Sequence, residues 1–200
     1  MSGEDERSEN WRRYYAETTA RPPRHTLLAA LGFFPPAFTG QAVDLGCGAG
    51  RDVLPLLDRG WLVHAIDAEA SAIALLRQAA GPNAERLSTA VARFEAATWP
   101  ACDLVNSSFA LPLCPPEAFD GLWRRIMASL RPGGRFAGQL YGERDSWFGR
   151  PGMTFHSRAA LDRLLDGLAV ELLEEEESDG VTPRGQPKHW HIFHLVLRRL

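Results

Sequence analysis

The sequence predicts an α/β fold in which five parallel strands and a closing antiparallel pair form one seven-stranded sheet. Between residues 41 and 167, short apolar runs alternate with segments of helical periodicity, and such strand–helix–strand units form parallel sheets with right-handed crossovers. Two β-rich runs, 169–176 and 190–198, follow with only a Gly- and Pro-containing loop, 178–187, between them. Because no helix separates these runs, they are predicted to pair as an antiparallel hairpin. Helices should cover both faces of this mostly parallel sheet.

The individual elements follow from periodicity and from the residues that interrupt it. Pro22-Pro23 separates two predicted helices, Gly81-Pro82 ends another, and Ser157 is the predicted cap of the last helix, which runs to about Gly167. Arg131–Gly134 is predicted to be a turn that ends a helix. The predicted helices are 9–19, 24–32, 51–59, 69–80, 116–130 and the one after Ser157; the predicted strands are 41–45, 61–66, 88–94, 103–109, 135–141, 169–176 and 190–198.

Length and composition indicate a single domain spanning residues 1–200. The hydrophobic fraction of 45% and the charged fraction of 24% are ordinary for a folded domain of this size. A net charge of −3 argues against nucleic acid as a partner, because phosphate binding needs clustered Lys and Arg. The sequence has no run of eighteen apolar residues and a polar, acidic start, so neither a membrane partner nor a secretory signal is expected.

The cysteines Cys47, Cys102 and Cys114 lie far apart and form no C-x-x-C pair. An odd number of widely spaced cysteines argues against a disulfide framework and a zinc knuckle, and it predicts a reducing, cytoplasmic location.

The charged residues outside the central segment are interpreted as surface groups. His189 and His191 share one face of a predicted strand and His194 lies on the other, so no metal site is expected from them. The acidic run 174–177 is predicted to be a strand end that enters an exposed loop. The paired arginines at 12–13, 124–125 and 198–199 are predicted to be solvated.

The most informative motif is the glycine-rich segment 43–50, which reads VDLGCGAG. A buried strand ends at its first glycine and a helical pattern follows at once. Glycine permits unusual backbone angles and lets a ligand approach the main chain. Asp67 ends the next strand about twenty residues on, the spacing at which nucleotide-type folds present a carboxylate to ribose hydroxyls. The glycine spacing is G-x-G-x-G, with Arg51 at the sixth position, and this disfavours a dinucleotide-dependent oxidoreductase, whose fingerprint is G-x-G-x-x-G.

Asp44, the three glycines and Asp67 together resemble the first motifs of the class I S-adenosylmethionine-dependent methyltransferases. Within that family, the chain looks most similar to small bacterial enzymes akin to tellurite-resistance and thiopurine methyltransferases. The resemblance implies a Rossmann-like fold, S-adenosylmethionine as cofactor, a loop curved around its methionine part and an acid on its ribose. The residues that it assigns to the cofactor here are Asp44, Gly46, Cys47, Gly48, Asp67 and Ala68.

Two further segments resemble family motifs but depart from them. Asn106 and Ser107 end the fourth strand, where the family places the transferable methyl group, yet the prolines of the [DN]-P-P-[FY] motif of DNA-base methylating members are missing. Either these residues contact the cofactor or Asn106 is a polar residue that ends a strand. Phe94 and Glu95 are the candidates for the adenine ring and its amine, and the alternative is a core phenylalanine beside a surface glutamate.

Two residues near the predicted site are candidate catalytic residues. His156 follows the fifth strand, and ligands of open α/β sheets lie beyond the carboxyl ends of strands, so a neutral imidazole there can act as a base. A surface histidine at a helix start is the alternative. Tyr15 belongs to residues 1–23, which the resemblance assigns to a lid over the cofactor. The alternative for that segment is an amphipathic helix packed on the sheet edge.

The family resemblance predicts transfer of a methyl group from S-adenosylmethionine to a small-molecule acceptor by in-line displacement. In such a reaction the protein mainly orients donor and acceptor and excludes water, and a base is needed only when the acceptor loses a proton. A non-catalytic protein that binds the same cofactor is the principal alternative. No metal is predicted.

Overall fold

The computed structural model describes residues 21–182 and 185–200, which contain one eight-stranded sheet. The strands lie in the order β3-β2-β1-β4-β5-β8-β7, and β6 pairs with β5. Strands β1 to β5 are parallel neighbours, whereas β8 is antiparallel to both β5 and β7. The predicted mixed sheet with a C-terminal hairpin is confirmed. The strands are β1 (Gln41–Leu45), β2 (Leu62–Asp67), β3 (Leu87–Val91), β4 (Cys102–Ser107), β5 (Leu130–Gly142), β6 (Phe155–His156), β7 (Leu168–Val181) and β8 (Pro187–Arg199).

The helices cover both faces of the sheet. Alternate residues of a strand point to opposite faces, and the core divides accordingly: Ala42 and Leu104 pack with α1, α2 and α3, whereas Val43 and Val105 pack with α4 and α5. Burial on both faces explains why β1 and β4 are so apolar. The helices are α1 (His25–Gly32), α2 (Val53–Asp58), α3 (Ala70–Ala79), α4 (Pro116–Ser129) and α5 (Arg158–Leu164), with 3₁₀ turns at Gly81–Arg86 and Leu111–Leu113.

Several predicted boundaries were wrong. Strand β3 ends at Val91, three residues early, because the chain turns at Arg93, whose carbonyl accepts the Ala96 N–H at 3.0 Å. Helix α5 ends at Leu164, before Gly167, whose φ of +74° is incompatible with a continuing helix. The two-residue strand β6 makes eight strands where seven were predicted. The predicted helix 9–19 lies outside the described residues.

Strand β5 and the hairpin formed by β7 and β8 are also longer than predicted. Residues 131–134 are part of β5, not a turn; the ladder to β4 shifts register there, and Gly133 has a φ of +77°. The hairpin is longer than predicted, because the ladder between β7 and β8 continues to the pair Val181 and Pro187. The acidic run 174–177 therefore lies in the middle of β7, not at its end.

Candidate functional site

The glycine-rich loop joins β1 to α2 at the carboxyl edge of the sheet. Gly46, Gly48 and Gly50 have φ angles of +74°, +53° and +96°, in the region that glycine favours. A Cβ at Gly46 would lie 2.3 Å from Cβ of Ala110, and one at Gly50 would lie 2.5 Å from Cδ1 of Leu76. The protein's own packing therefore requires two of the three glycines, a reason that the sequence did not reveal.

Asp67 lies against this loop, at the end of β2. Its Oδ2 accepts the Gly48 N–H at 2.8 Å and its Oδ1 accepts the Glu69 N–H at 2.9 Å. A carboxylate accepts up to about four hydrogen bonds, so these two bonds fix its orientation and are compatible with further hydroxyl donors. Ala68, the next residue, is exposed. The structure thus brings Asp67 and Gly48 together, with Ala68 next to Asp67 in the chain.

A buried polar cluster lies beneath the loop, on the face of the sheet that carries α1 to α3. The Asn106 Nδ2 lies 3.2 Å from Oδ1 of Asp44 and 3.2 Å from Oδ2 of Asp52. Among the described residues, Oδ1 of Asn106 is buried without a hydrogen-bond partner. Burial, and then the charge of Asp52, raises the pKa of Asp44 well above its usual range, while the Asn106 hydrogen bond opposes this shift. The cluster thus places two carboxyl groups close together beneath the loop, where a nearby cation would favour their ionised forms.

Asp52 is a site residue that sequence reasoning missed. It directly precedes α2, with no capping hydrogen bond from its side chain, is 4% exposed, and its Oδ2 also accepts the Ser108 hydroxyl at 2.5 Å. Its position next to Arg51, at the start of the helix that follows the glycines, was the available signal.

Residues 22–24 are bonded to the two residues that directly follow the glycine loop. The Arg51 Nε donates to the Pro22 carbonyl at 2.7 Å, and the Arg24 N–H donates to Oδ1 of Asp52 at 2.9 Å. The Arg24 guanidinium lies 4.3 Å from the ring centroid of Phe109. The end of the predicted lid is therefore tied to the loop, whereas its remaining part, with Tyr15, lies outside the described residues.

The loop after β4 holds Phe109 in a strained conformation. Its φ of +58° is rare for a bulky residue and costs about 1–3 kcal/mol. The Phe109 N–H donates to Oε1 of Gln139 at 3.1 Å, and the Gln139 amide donates to the Thr26 hydroxyl at 2.8 Å. The ring centroid is 6.3 Å from those of Tyr141 and His194. Phe109 was not a predicted site residue, and backbone strain leaves no sequence pattern that could have identified it.

Phe94 and Glu95 lie in the turn after β3. Phe94 borders the glycine loop, since a Cβ at Gly46 would lie 3.9 Å from its Cε1. The Glu95 carboxylate is paired with Arg93. The Arg125 guanidinium of α4 donates to the carbonyls of Phe94 at 2.6 Å and Glu95 at 3.1 Å. The prediction that Arg125 is a solvated surface residue was therefore wrong.

Cys47 and Ser107 are buried, and each has a hydrogen-bond partner within the fold: the Cys47 N–H donates to the Ile66 carbonyl at 3.1 Å. The Ser107 hydroxyl donates to the Leu45 carbonyl at 2.9 Å and is fully buried. Burial raises the pKa of the Cys47 thiol well above its usual range, with the charges of Asp44 and Asp67 adding to the shift. Burial also raises the pKa of Cys102 and Cys114 to about 11. All three cysteines are free, unreactive thiols at neutral pH.

The structure does not bring His156 together with these residues. It lies in β6, not in a loop, with its ring centroid 4.6 Å from that of Phe119 on α4. Helix α4 covers the face opposite to that of Asp44 and Asn106. Burial lowers the pKa of His156 to about 4, and the charge of Asp120 opposes this shift. The ring is neutral, as predicted, but its role as a base stays a prediction.

The three C-terminal histidines face the acidic run across the hairpin. His189 lies 2.7 Å from Asp179, and its second nitrogen lies 3.2 Å from Glu177. His191 lies 3.0 Å from Glu175. His194 lies 2.9 Å from Glu176 and points to the opposite face of the sheet. The prediction of a strand end was therefore wrong, because strand register, which the sequence does not reveal, places the run mid-strand opposite the histidines. The four glutamates are exposed, as expected.

Lys188, the second residue of β8, forms an ion pair with the loop after β5. Its ammonium forms a fully buried ion pair with Asp145. The ammonium also lies 4.1 Å from the ring centroid of Trp147, 4.3 Å from that of Trp190 and 5.3 Å from that of Tyr141. Cation–π contacts of this kind stabilise a desolvated ammonium.

The described residues fit the predicted cofactor. S-adenosylmethionine carries a sulfonium cation, a ribose diol and a planar adenine. The carboxylates of Asp44 and Asp52 favour a cation, the oriented carboxylate of Asp67 suits two hydroxyl donors, and Phe94 offers an aromatic ring beside the loop. Within residues 21–182 and 185–200, no group of His, Cys, Asp and Glu is arranged to hold a metal, and no helix is long and apolar enough to cross a bilayer.

Comparison with known proteins agrees with this geometry. Residues 42–134 match the family model described as a methyltransferase domain. TehB from Haemophilus influenzae has a similar structure, with a TM-score of 0.74 and 18% identity, covering 88% of this chain and 61% of that one. The chain thus spans about three fifths of the TehB chain. No curated protein sequence matches.

Two enzymes with bound ligands are also similar in structure. The 1,6-didemethyltoxoflavin-N1-methyltransferase of Burkholderia thailandensis, with bound 1,6-didemethyltoxoflavin and S-adenosylhomocysteine, has a TM-score of 0.63 and 21% identity, covering 88% of this chain and 77% of that one. The magnesium protoporphyrin IX methyltransferase of Synechocystis PCC 6803, with bound S-adenosylmethionine, has a TM-score of 0.58 and 15% identity, covering 94% and 79%. At these identities the likeness concerns the fold.

Proposed function

We propose that the chain is an S-adenosylmethionine-dependent methyltransferase that transfers a methyl group to a small-molecule acceptor, in keeping with the match of residues 42–134 to the methyltransferase-domain model. The observation that carries the proposal is the bond between the Gly48 N–H and the Asp67 carboxylate at 2.8 Å. This bond holds the glycine loop and the acid of β2 in one unit, and the other side of that unit is the electronegative pair Asp44 and Asp52. A diol and a sulfonium on one ligand complement both sides.

A displacement at a sulfonium methyl group asks the protein chiefly to hold donor and acceptor in line and to exclude water. In this proposal, Asp67 and Ala68 hold the ribose. The backbone of the glycine loop, at Gly46, Cys47 and Gly48, lies along the methionine part. The ring of Phe94 lies on the adenine. Asp44 and Asn106 form the buried polar floor of the site, beneath the glycine loop. The side chains of Glu95 and Ser107 already have partners, with Arg93 and with the Leu45 carbonyl, so in this proposal they border the cofactor site without donating their side chains to it.

A small acceptor fits this chain better than a macromolecule. The net charge of −3 disfavours nucleic acid. The B. thailandensis enzyme of similar fold binds a small heterocycle. We place the acceptor beyond the ends of β4 and β5, beside Phe109, and residues 1–23 above it as a lid that contributes Tyr15. The three buried free thiols support the proposal of a reducing, cytoplasmic location.

Titration calorimetry with S-adenosylmethionine, S-adenosylhomocysteine and NAD tests the cofactor. We expect the first two to bind and NAD to give no heat, because the third glycine of the dinucleotide fingerprint is missing. Tight binding of NAD alone would instead indicate an oxidoreductase.

A panel of phenols, thiols and nitrogen heterocycles, assayed for release of S-adenosylhomocysteine, tests the activity. Turnover with at least one acceptor is expected. Cofactor binding with no turnover across the panel would favour a non-catalytic protein that binds S-adenosylmethionine.

A further inference from the structure

His194 and Glu176 form a histidine–carboxylate pair that the proposed function does not use. His194 lies on β8, and its Nε2 is 2.9 Å from Oε2 of Glu176 on β7. A carboxylate only accepts hydrogen bonds, so the neutral ring carries its hydrogen on Nε2 and a lone pair on Nδ1. Among the described residues, that Nδ1 is buried without a hydrogen-bond partner. A buried nitrogen of this kind costs stability and is often explained by function.

His194 differs in this respect from its two neighbours on β8. In His191, Nε2 faces Glu175 and Nδ1 accepts the Arg144 N–H at 3.1 Å. In His189, both nitrogens face carboxylates and the side chain is 35% exposed. His194 therefore combines an oriented ring with an unused lone pair, which is the arrangement of a general base held by a carboxylate.

The ring of His194, which carries this lone pair on Nδ1, lies beside the expected acceptor position. His194 is paired with Gln139 of β5, and the Gln139 amide oxygen accepts the N–H of Phe109, two residues beyond β4. The ring of Phe109 lies 6.3 Å from that of His194, centroid to centroid. Both His194 and Gln139 lie on the face that carries α1 to α3, the face of Asp44 and Asn106.

We propose that His194 is the general base of methyl transfer and that Glu176 positions it, so that the acceptors are phenols or thiols that lose a proton on methylation. The inference rests on the proposed function. The acceptor oxygen or sulfur forms the bond to the methyl carbon, the bond from that carbon to the sulfonium breaks with its electron pair passing to sulfur, and the acceptor proton passes to Nδ1 of His194. The resulting imidazolium is stabilised by the Glu176 carboxylate.

The charged groups around His194 come from α1 and β7. His25 packs on its ring with centroids 4.7 Å apart, and the His25 ring in turn lies 3.3 Å from Glu174. Arg24 lies on the Phe109 ring. Burial lowers the pKa of His194, Glu176 opposes this shift and His25 adds to it. The ring is thus neutral and basic at neutral pH, and the base should remain active at a pH somewhat below the ordinary range for histidine.

Access to the buried ring depends on His25. The His25 side chain is 51% exposed, so a rotamer change on the surface of α1 moves its ring off His194. A small planar acceptor then has a path to the lone pair.

Methylation of two probes by matched variants tests the role of His194. The probes are 4-methylphenol, which is protonated at neutral pH, and 4-nitrothiophenol, which is already ionised; the variants are His194→Asn, Glu176→Gln and His189→Asn, the last as control. His194→Asn should slow phenol methylation by about 10²–10⁴-fold and thiophenol methylation by less than about threefold. Glu176→Gln should slow the phenol reaction less, and His189→Asn should change neither. Equal slowing of both probes by His194→Asn, or no slowing, would overturn the assignment.

Nitrogen-15 NMR of labelled histidine tests the pair without turnover. The His194 signals should report hydrogen on Nε2 and none on Nδ1 at pH 7, and Glu176→Gln should populate the other tautomer. A protonated Nδ1 in the native protein would refute the base. Calorimetry separates the two levels of failure: binding of S-adenosylmethionine without turnover of either probe by the native protein would refute this acceptor class alone. Absence of binding would refute the proposed function and this role with it.

Discussion

At the scale of single residues, the site is organised by acids that bind the main chain. Asp67 accepts two backbone N–H groups, and Asp52 accepts the N–H of Arg24. Asp44 instead is buried with only the amide of Asn106 to offset its charge. These carboxylates therefore have different roles. Asp67 fixes the geometry of the glycine loop, Asp52 holds the chain before α1, and Asp44 sets the electrostatics beneath the loop.

We expect Asp67→Ala to weaken S-adenosylmethionine binding far more than it weakens folding. The lost ribose hydrogen bonds are charge-assisted and worth about 1.5–3 kcal/mol each, so the dissociation constant should rise by at least about tenfold. Asp67→Asn keeps the shape and separates loss of charge from loss of the loop, and Asp162→Ala, in an exposed helix pair, is the control. Unchanged affinity measured by calorimetry would show that Asp67 serves only the loop.

Asp44→Asn should stabilise the ligand-free protein while weakening cofactor binding. The pKa of Asp44 is raised by burial, so its ionisation opposes folding; the native protein should lose stability as pH rises from the ordinary carboxyl pKa to the raised one. The variant should lack this loss and melt higher at neutral pH, by about 2–4 °C for each kcal/mol gained. Thermal melts from pH 4 to pH 8, run beside calorimetry, measure both effects. A lower melting temperature with unchanged affinity would contradict this account.

At the scale of elements, the hairpin β7–β8 does more than close the sheet. It supplies the carboxylates that face the β8 histidines and the lysine that anchors the segment between β5 and β6. Arg199, predicted to be solvated, donates to the carbonyls of Met127 and Ala128 at the end of α4. The hairpin thus connects the two helix layers and borders the proposed acceptor position.

Lys188→Met should destabilise the protein by about 3–5 kcal/mol, because removing one partner of a buried pair leaves the other charge uncompensated. The Asp145 carboxylate would remain buried beside Trp147. Arg158→Ala, which breaks an exposed pair with Asp162, should cost less than about 1 kcal/mol. Urea unfolding of both variants measures the difference. Equal costs for the two would show that the buried pair is offset by its surroundings.

At the scale of the whole molecule, one edge of the sheet collects the described groups of the proposed cofactor site. The carboxyl ends of β1, β2 and β4 carry the glycine loop, Asp67 and Asn106, and residues 22–24 are held beside the loop by Arg51 and Asp52. A segment held in this way is placed to cover a ligand, and such covering segments often set turnover.

Deleting residues 1–23 should lower cofactor affinity and turnover while leaving a single cooperative melt, because the deletion spares the strands and helices found in the described part of the chain, which begin at His25. Deleting residues 1–8 alone is the control and should have little effect. Amide exchange at residues 11–15 should slow when S-adenosylmethionine binds the full chain. Full activity after the longer deletion would show that the segment only packs, and closure would then fall to residues 143–154, where Asp145 and Trp147 are the next residues to test.

The sequence by itself determined the fold class and the cofactor motif, because both depend on local pattern: period-two and helical repeats for the elements, and glycines between a strand and an acid for the loop. It could not determine which residues meet across the chain. Asp52 with Asn106, Phe109 with Gln139 and Glu176 with His194 are separated by 54, 30 and 18 residues, and only strand order and register bring them together. The same limit assigned Arg125 to the solvated surface, put the acidic run 174–177 at a strand end instead of mid-strand, and put His156 at an open edge. Burial and pKa depend on the whole packed environment, so tertiary structure alone decided which charges are held in the interior.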